Sequence, residues 1–168
     1  MDGGDAYGGA VGSFYSFYIE RPRLGRLVGR ALWGSDFRLM YRSLEGLGHL
    51  PWGATVLDAA CGAGLVFSWL DPSRRPRYVG VDDSPAMLER ARRRARRLGF
   101  ADVEFHLSNV ESLPLPDAVA DVCLLYNALH CFRHPQAALD EILRCAKPGA
   151  LSSAACWCAA LPLGPTVS

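Results

Sequence analysis

The chain has 168 residues, half of them hydrophobic, with 18 basic and 17 acidic side chains and a net charge of +1. That length suits one domain with its own core, and that hydrophobic fraction excludes a largely disordered chain. The near-neutral balance argues against a dedicated nucleic-acid or membrane-surface protein, although 15 arginines face 10 acids over residues 1–100 and three bases face seven acids beyond.

Residues 1–13 are glycine-rich and read as a flexible N-terminus. The start, Met1-Asp2-Gly3-Gly4-Asp5, lacks the basic-then-apolar plan of a secretory signal. A helical region is expected over 14–33, interrupted around Pro22, and a second helix over 35–47 with Ser35 or Asp36 as its cap. Pro51-Trp52-Gly53 reads as a turn. Beyond it, strand signals near 55–59, 77–82, 102–107 and 121–126 alternate with helix signals near 64–70, 85–98 and 135–146. That alternation marks a parallel α/β sheet with crossover helices, so 51–168 reads as one Rossmann-like domain.

The helix after Asp82 is well specified: Ser84 can cap it, Pro85 suits its first turn and Gly99 ends it. Met87, Leu88, Ala91, Ala95 and Leu98 share one face, and Arg90, Arg92, Arg93, Arg94, Arg96 and Arg97 cover much of the rest. Such a face either grips phosphates or lies solvated over its own apolar stems. With no aromatic residues interleaved, the solvated reading is preferred. The six cysteines (Cys61, Cys123, Cys131, Cys145, Cys156, Cys158) form no C-x-x-C pair and read as reduced, mostly buried thiols, with no metal site expected. The tail from Pro148 has no charged side chain, but Ser152, Ser153, Pro162 and Pro165 break it up well short of a span of ~20 apolar residues. No membrane partner is expected, and the cytoplasm is the expected location.

The chemistry concentrates in Val56-Leu57-Asp58-Ala59-Ala60-Cys61-Gly62-Ala63-Gly64, where an apolar run ends in an acid followed by a turn of small residues. Small residues let backbone N–H groups approach a ligand, and a helix after the turn would aim its N-terminus at it. A second run, Tyr78-Val79-Gly80-Val81, ends in Asp82, 18 positions after Gly64. That is close to the ~20 expected for an acid that hydrogen-bonds a ribose. A dinucleotide fingerprint would place a third glycine three positions after Gly64, where Phe67 stands. The loop therefore suits a ligand without pyrophosphate, such as an adenosyl amino acid, better than NAD.

Asp58-Ala59-Ala60-Cys61-Gly62-Ala63-Gly64 resembles motif I of the class I S-adenosylmethionine-dependent methyltransferases. Val79 to Leu88, Leu107 to Asp117, and Asp121 through Gly149 resemble the family's later blocks, so the likeness covers about 53–149. It is nearest to the small-molecule enzymes that include the ubiquinone and menaquinone biosynthesis methyltransferases. The resemblance implies a Rossmann-like parallel sheet of the class I type, with N-terminal helices over 14–50 as a lid in which Tyr15 and Tyr18 could close over the cofactor. It implies S-adenosyl-L-methionine as cofactor and a small-molecule acceptor methylated at carbon or oxygen. Asp58, Ala59, Ala60, Cys61, Gly62 and Gly64 would lie along the methionine part. Asp82 would accept the ribose hydroxyls, and Met87 would pack on adenine. Asn109 would accept the adenine amino group where the family usually has an acid, and Val110 would use its backbone N–H on a ring nitrogen. Asn127 would face the methionine end or the acceptor. His130 is the candidate base, and His134 is a weaker one.

Three departures from the family stand out: Ala60 replaces a frequent glycine, Asp83 sits where an apolar residue usually packs on adenine, and the chain stops about 20 residues after Gly149. The last departure predicts a sheet lacking the C-terminal antiparallel hairpin, with a fifth strand exposed as an edge open to self-association. It leaves a truncated, inactive cofactor-binding remnant as the alternative, with an NAD-linked oxidoreductase behind it.

Overall fold

The computed structural model describes residues 21–33, 38–156 and 159–163. Tyr15, Tyr18, Ser35 and Asp36 lie outside them. Thr55-Val56-Leu57-Asp58-Ala59 forms β1, buried at every position, as expected of a strand covered on both faces. It is flanked by β2 (Arg77–Asp82) and β4 (Ala120–Tyr126), both parallel to it. β3 (Val103–Leu107) lies outside β2, and β5 (Ala146–Cys156) outside β4. With β6 (Ala159–Leu163) beyond β5, the strand order is β3-β2-β1-β4-β5-β6. The chain reverses its direction of winding between β1 and β4, and such a switch point opens a crevice at the C-terminal ends of the strands.

Helices α1 (Pro22–Trp33) and α2 (Arg38–Glu45) precede the sheet, while α3 (Pro85–Arg97) and α4 (Pro135–Cys145) are crossovers. Period-two alternation in the strands sorts the core into two layers. Val56, Tyr78, Val122 and Leu124 pack with Met40, Tyr41 and Leu44 of α2 and Leu88 and Ala95 of α3. Leu57, Val79, Val81, Cys123 and Leu125 pack on the other face with Ala138, Ile142 and Cys145 of α4. α3 begins as its sequence predicts: Ser84 Oγ accepts from the N–H of Met87, with Pro85 in the first turn.

Two side chains tie distant segments together. Asp121 Oδ2 accepts from the N–H of Thr55 in β1, and its Oδ1 accepts from Lys147 Nζ in β5, at 2.9 and 2.8 Å. One aspartate therefore joins three neighbouring strands at their N-terminal ends. Arg144 of α4 donates to the carbonyls of Leu113 and Leu115 and to the carboxylates of Asp117 and Glu141. That fork holds the loop after β3 against α4.

Two expectations are corrected. The helix expected near 64–70 is a single 3-10 turn over Leu65–Ser68, with another at Pro72–Arg74. Val66, Phe67 and Trp69 are weak helix formers, and Pro72 forbids continuation. No helix dipole of useful length stands behind the glycine loop. The fifth strand is also not an open edge. β6 (Ala159–Leu163) pairs antiparallel with it, from Ser152↔Leu163 to Cys156↔Ala159. The family's own hairpin after strand five is not formed among the described residues, but one antiparallel strand takes the place beside β5. Gly149, with φ +78°, breaks the start of β5, where the ladder to β4 jumps from Ala120↔Ala146 to Val122↔Leu151.

Candidate functional site

The loop from Ala59 to Gly64 lies at the switch point, and its shape is set by left-handed residues. Ala60, Gly62 and Gly64 have φ of +58°, +53° and +74°. Glycine adopts this region freely, whereas alanine does so at a cost of about 1 kcal/mol. Ala60 therefore carries strain that the more usual glycine would not. A Cβ on Gly62 would meet nothing within 4 Å, so the loop's open side is here. A Cβ on Gly64 would stand 2.7 Å from Phe67 Cδ2. Phe67 fills the volume behind the loop, its ring tilted against Tyr78 at 4.2 Å and Phe100 at 4.9 Å between centroids. The residue that breaks the dinucleotide fingerprint is a core anchor.

Asp82 closes the loop onto β2. Its Oδ2 accepts from the N–H of Gly62 at 2.8 Å and its Oδ1 from the N–H of Ser84 at 3.0 Å. The N–H of Cys61 donates to the Val81 carbonyl at 2.9 Å. A carboxylate has about four lone-pair sites, so two remain for ribose hydroxyls. Burial raises the Asp82 pKa, and the two backbone donors pull against that rise. Asp58 is deeper, at 2 % exposed, and receives the Tyr78 hydroxyl on Oδ2 at 2.6 Å. Burial pushes it up to about 7, opposed by that hydrogen bond. Two carboxylates at the loop repel a pyrophosphate and welcome an ammonium, so the donor set fits an adenosyl amino acid. Cys61 stays a thiol, since burial and both aspartates raise its pKa well above the ordinary range.

The residues expected at adenine lie on two elements. Met87 is buried at the start of α3 and Asp83 is exposed beside it. The Asn109 side-chain carbonyl accepts from the N–H of Glu111 at 2.9 Å, which shapes the loop after β3. One lone pair of the oxygen expected to take the adenine amino group is thus already used. Val110 is 3 % exposed and anchors this loop in the core through its side chain. Glu111 Oε1 accepts from the N–H of His134, placing His134 against this loop at the head of α4. Asn127 comes directly after β4, with φ +55°, a conformation asparagine tolerates better than most residues. His130 lies in the 3-10 turn Leu129–Cys131 at the surface, and partial burial lowers its pKa below 6.5.

The predicted cofactor residues thus fall at the C-terminal ends of β1 and β2, in the loops after β1 to β4 and in the first turn of α3, all toward one end of the sheet. A sequence profile described as "Methyltransferase domain" matches residues 57–153, from inside β1 into β5. The chain belongs to the class I S-adenosylmethionine-dependent methyltransferases. Among relatives of this family, malonyl-(acyl-carrier protein) O-methyltransferase from Serratia marcescens is 36% identical over 106 residues, covering 63% of this chain and 39% of that protein. Phthiotriol/phenolphthiotriol dimycocerosates methyltransferase from Mycobacterium tuberculosis is 34% identical over 98 residues, covering 58% and 35%. The chain thus spans well under half of these curated relatives. Among solved structures, a SAM-dependent methyltransferase from Aquifex aeolicus aligns with TM-score 0.60 and 25% identity, over 84% of this chain and 70% of that one. The (4+2)-cyclase SpnF aligns with TM-score 0.61 and 27% identity, over 73% and 48%. A fold of this family therefore also carries a cyclase, and the reaction must be argued from the site.

Sequence patterns alone do not single out three groups that matter here: Tyr78, Gly80 and Arg144. A Cβ on Gly80 would meet Phe105 Cδ1 and Tyr78 Cε1 at 2.9 Å and Cys61 Sγ at 3.0 Å, so this glycine lets three side chains converge under the loop. The available signal is a glycine inside an apolar strand, which often marks close approach.

Proposed function

We propose that this chain binds S-adenosyl-L-methionine and transfers its methyl group to a small-molecule acceptor at carbon or oxygen. The observation that carries the reading is the Asp82 carboxylate, tied to Gly62 and Ser84 and set beside an open glycine loop. When bound, the cofactor supplies a methyl group on a cationic sulfur, which makes the methyl electrophilic. The protein's own work is placement. Asp82 holds the ribose through its two remaining lone-pair sites. Asp58 faces the amino-acid end through the turn Ala59-Ala60-Cys61-Gly62-Ala63-Gly64. Met87 packs on the purine with Asp83 at its rim, while Asn109 and the Val110 N–H read its edge. Asn127 faces the methionine end or the acceptor. His130 takes a proton from an acceptor that must lose one; a lowered pKa keeps its imidazole neutral at neutral pH.

The small-molecule acceptor is supported by one relative named for phthiotriol/phenolphthiotriol dimycocerosates and another named for a malonyl group on an acyl-carrier protein, neither of them a nucleic acid. The segment 14–50 is assigned as a lid that closes over the cofactor. Within it α2 is anchored, since Leu44 is fully buried and Ser43 bridges α2 to Tyr126 of β4. The sheet margins left for self-association are β3 and β6. A cytoplasmic location is part of the reading; no helix among the described residues is long and apolar enough to cross a membrane.

Calorimetric titration with S-adenosylhomocysteine, S-adenosylmethionine and NAD tests the cofactor assignment. The adenosyl compounds should bind, NAD should not, and Asp82→Ala should weaken the adenosyl compounds by about a hundred-fold, as expected for losing charge-assisted bonds to two hydroxyls. Heat with NAD alone would overturn the reading.

A further inference from the structure

Tyr78 sits in the second position of β2, fully buried, and its hydroxyl donates to Asp58 on the neighbouring strand at 2.6 Å. The ring has no freedom to leave. Phe67 lies tilted against it at 4.2 Å, Phe105 stands at 5.7 Å, and the missing Cβ of Gly80 supplies the space it fills. A hydrogen-bonded acid at 2 % exposure, whose other neighbours are a thiol and a second acid, is a poor place for an anion unless something compensates. The cofactor's ammonium is such a compensation.

We propose that Tyr78 is a positioning residue whose hydroxyl holds Asp58 as the anion that receives the cofactor's ammonium, so that cofactor binding expels a proton from Asp58. The inference rests on the S-adenosylmethionine site proposed above. The balance is simple: the Asp58 carboxyl loses one proton to solvent, no other bond changes, and the ammonium keeps its charge. The groups that face Asp58 are Tyr78 from β2, Cys61 from the loop and Asp82 from the end of β2, with Tyr41 of α2 and Tyr126 of β4 in the same apolar layer. Burial and the Asp58 charge drive the Tyr78 phenol well above its ordinary range, so it remains a donor throughout. Burial lifts Asp58 to about 7, so the free protein holds it partly protonated at neutral pH. An arriving cation favours the anion, and affinity must therefore rise with pH through the neutral range.

The test is calorimetric titration of S-adenosylhomocysteine at neutral pH in two buffers of different ionisation heat, on the full chain. A buffer-dependent heat reporting net proton release is expected for the unaltered protein. Tyr78→Phe should bind about ten-fold more weakly at neutral pH, the worth of one hydrogen bond to a charged group. That loss should shrink as pH is raised and Asp58 ionises unaided. Asp58→Asn should abolish proton release. Equal heats in both buffers, or a Tyr78→Phe loss that is the same at every pH, would overturn the role of Tyr78 while leaving the cofactor site standing. If the unaltered protein binds no adenosyl compound at any pH, the site and this inference fall together. Should Tyr78→Phe not fold, Asp58→Asn decides: proton release that persists in it assigns the proton elsewhere and overturns the inference.

Discussion

Removing the Arg144 fork should loosen the adenine side of the site and reshape the acid stability of the whole domain. Arg144 donates to Glu141 at 2.8 and 2.9 Å, to Asp117 at 2.6 Å and to the carbonyls of Leu115 and Leu113 at 2.9 and 3.2 Å. Glu141 also accepts from the N–H of Leu113 at 2.7 Å. The guanidinium holds Glu141 at about 2, well below its ordinary 4.5. Taken at face value that depression is worth about 3 kcal/mol. The two side chains are 31% and 24% exposed, so solvent screening reduces the figure to about 1–2 kcal/mol. Two orphaned carbonyls at a wet loop add about 1 kcal/mol. Arg144→Ala should therefore cost about 2–3 kcal/mol, or roughly 6–9 °C in Tm for a chain of this size. Because Glu141 is depressed in the folded state, its share of stability is fully present above its unfolded pKa of about 4.5 and disappears as pH falls through about 2. Thermal melts at neutral pH and at about pH 3 should show the gap between the two proteins narrowing in acid. A Tm loss below about 2 °C, or a loss as large at low pH as at neutral, would refute this account of the fork.

The glycine loop and the strand beneath it carry the remaining predictions. Ala60→Gly should relieve the strain of φ +58° and, after the entropy of glycine is subtracted, stabilise the domain by up to about 0.5 kcal/mol, readable as a higher urea midpoint with unchanged slope. Gly80→Ala puts a methyl group 2.9 Å from the Tyr78 and Phe105 rings and 3.0 Å from Cys61 Sγ; it should destabilise by about 1–3 kcal/mol in the same assay. Because that methyl displaces Tyr78, a folded Gly80→Ala protein should also lose affinity for S-adenosylhomocysteine.

The strands are legible because buried parallel strands are dense in Val, Leu and Ala and bounded by turns: β1 and β2 fall at 55–59 and 77–82, around the apolar runs that mark them. α3 is legible from its cap, its proline and its closing glycine. The turn at 65–68 reads wrongly as a helix because a short apolar stretch has no period of its own. β6 is invisible because its residues, Ala-Ala-Leu-Pro-Leu, have weak strand preference and acquire their conformation from pairing with β5. At the site, spacing locates the acids and glycines but not their partners. Nothing in Tyr78 as a letter distinguishes a hydroxyl aimed at Asp58 from an ordinary strand aromatic. Arg144 is likewise one of many arginines until the fold lays a loop across it.

The aspartate that joins β1, β4 and β5 gives the sheet a stitched hem. Asp121 gathers the Thr55 amide and the Lys147 ammonium at the margin farthest from the glycine loop. A border sewn in this way holds its rows in line, so the registry that delivers Asp58 and Asn127 to the far ends of β1 and β4 is fastened at the opposite margin.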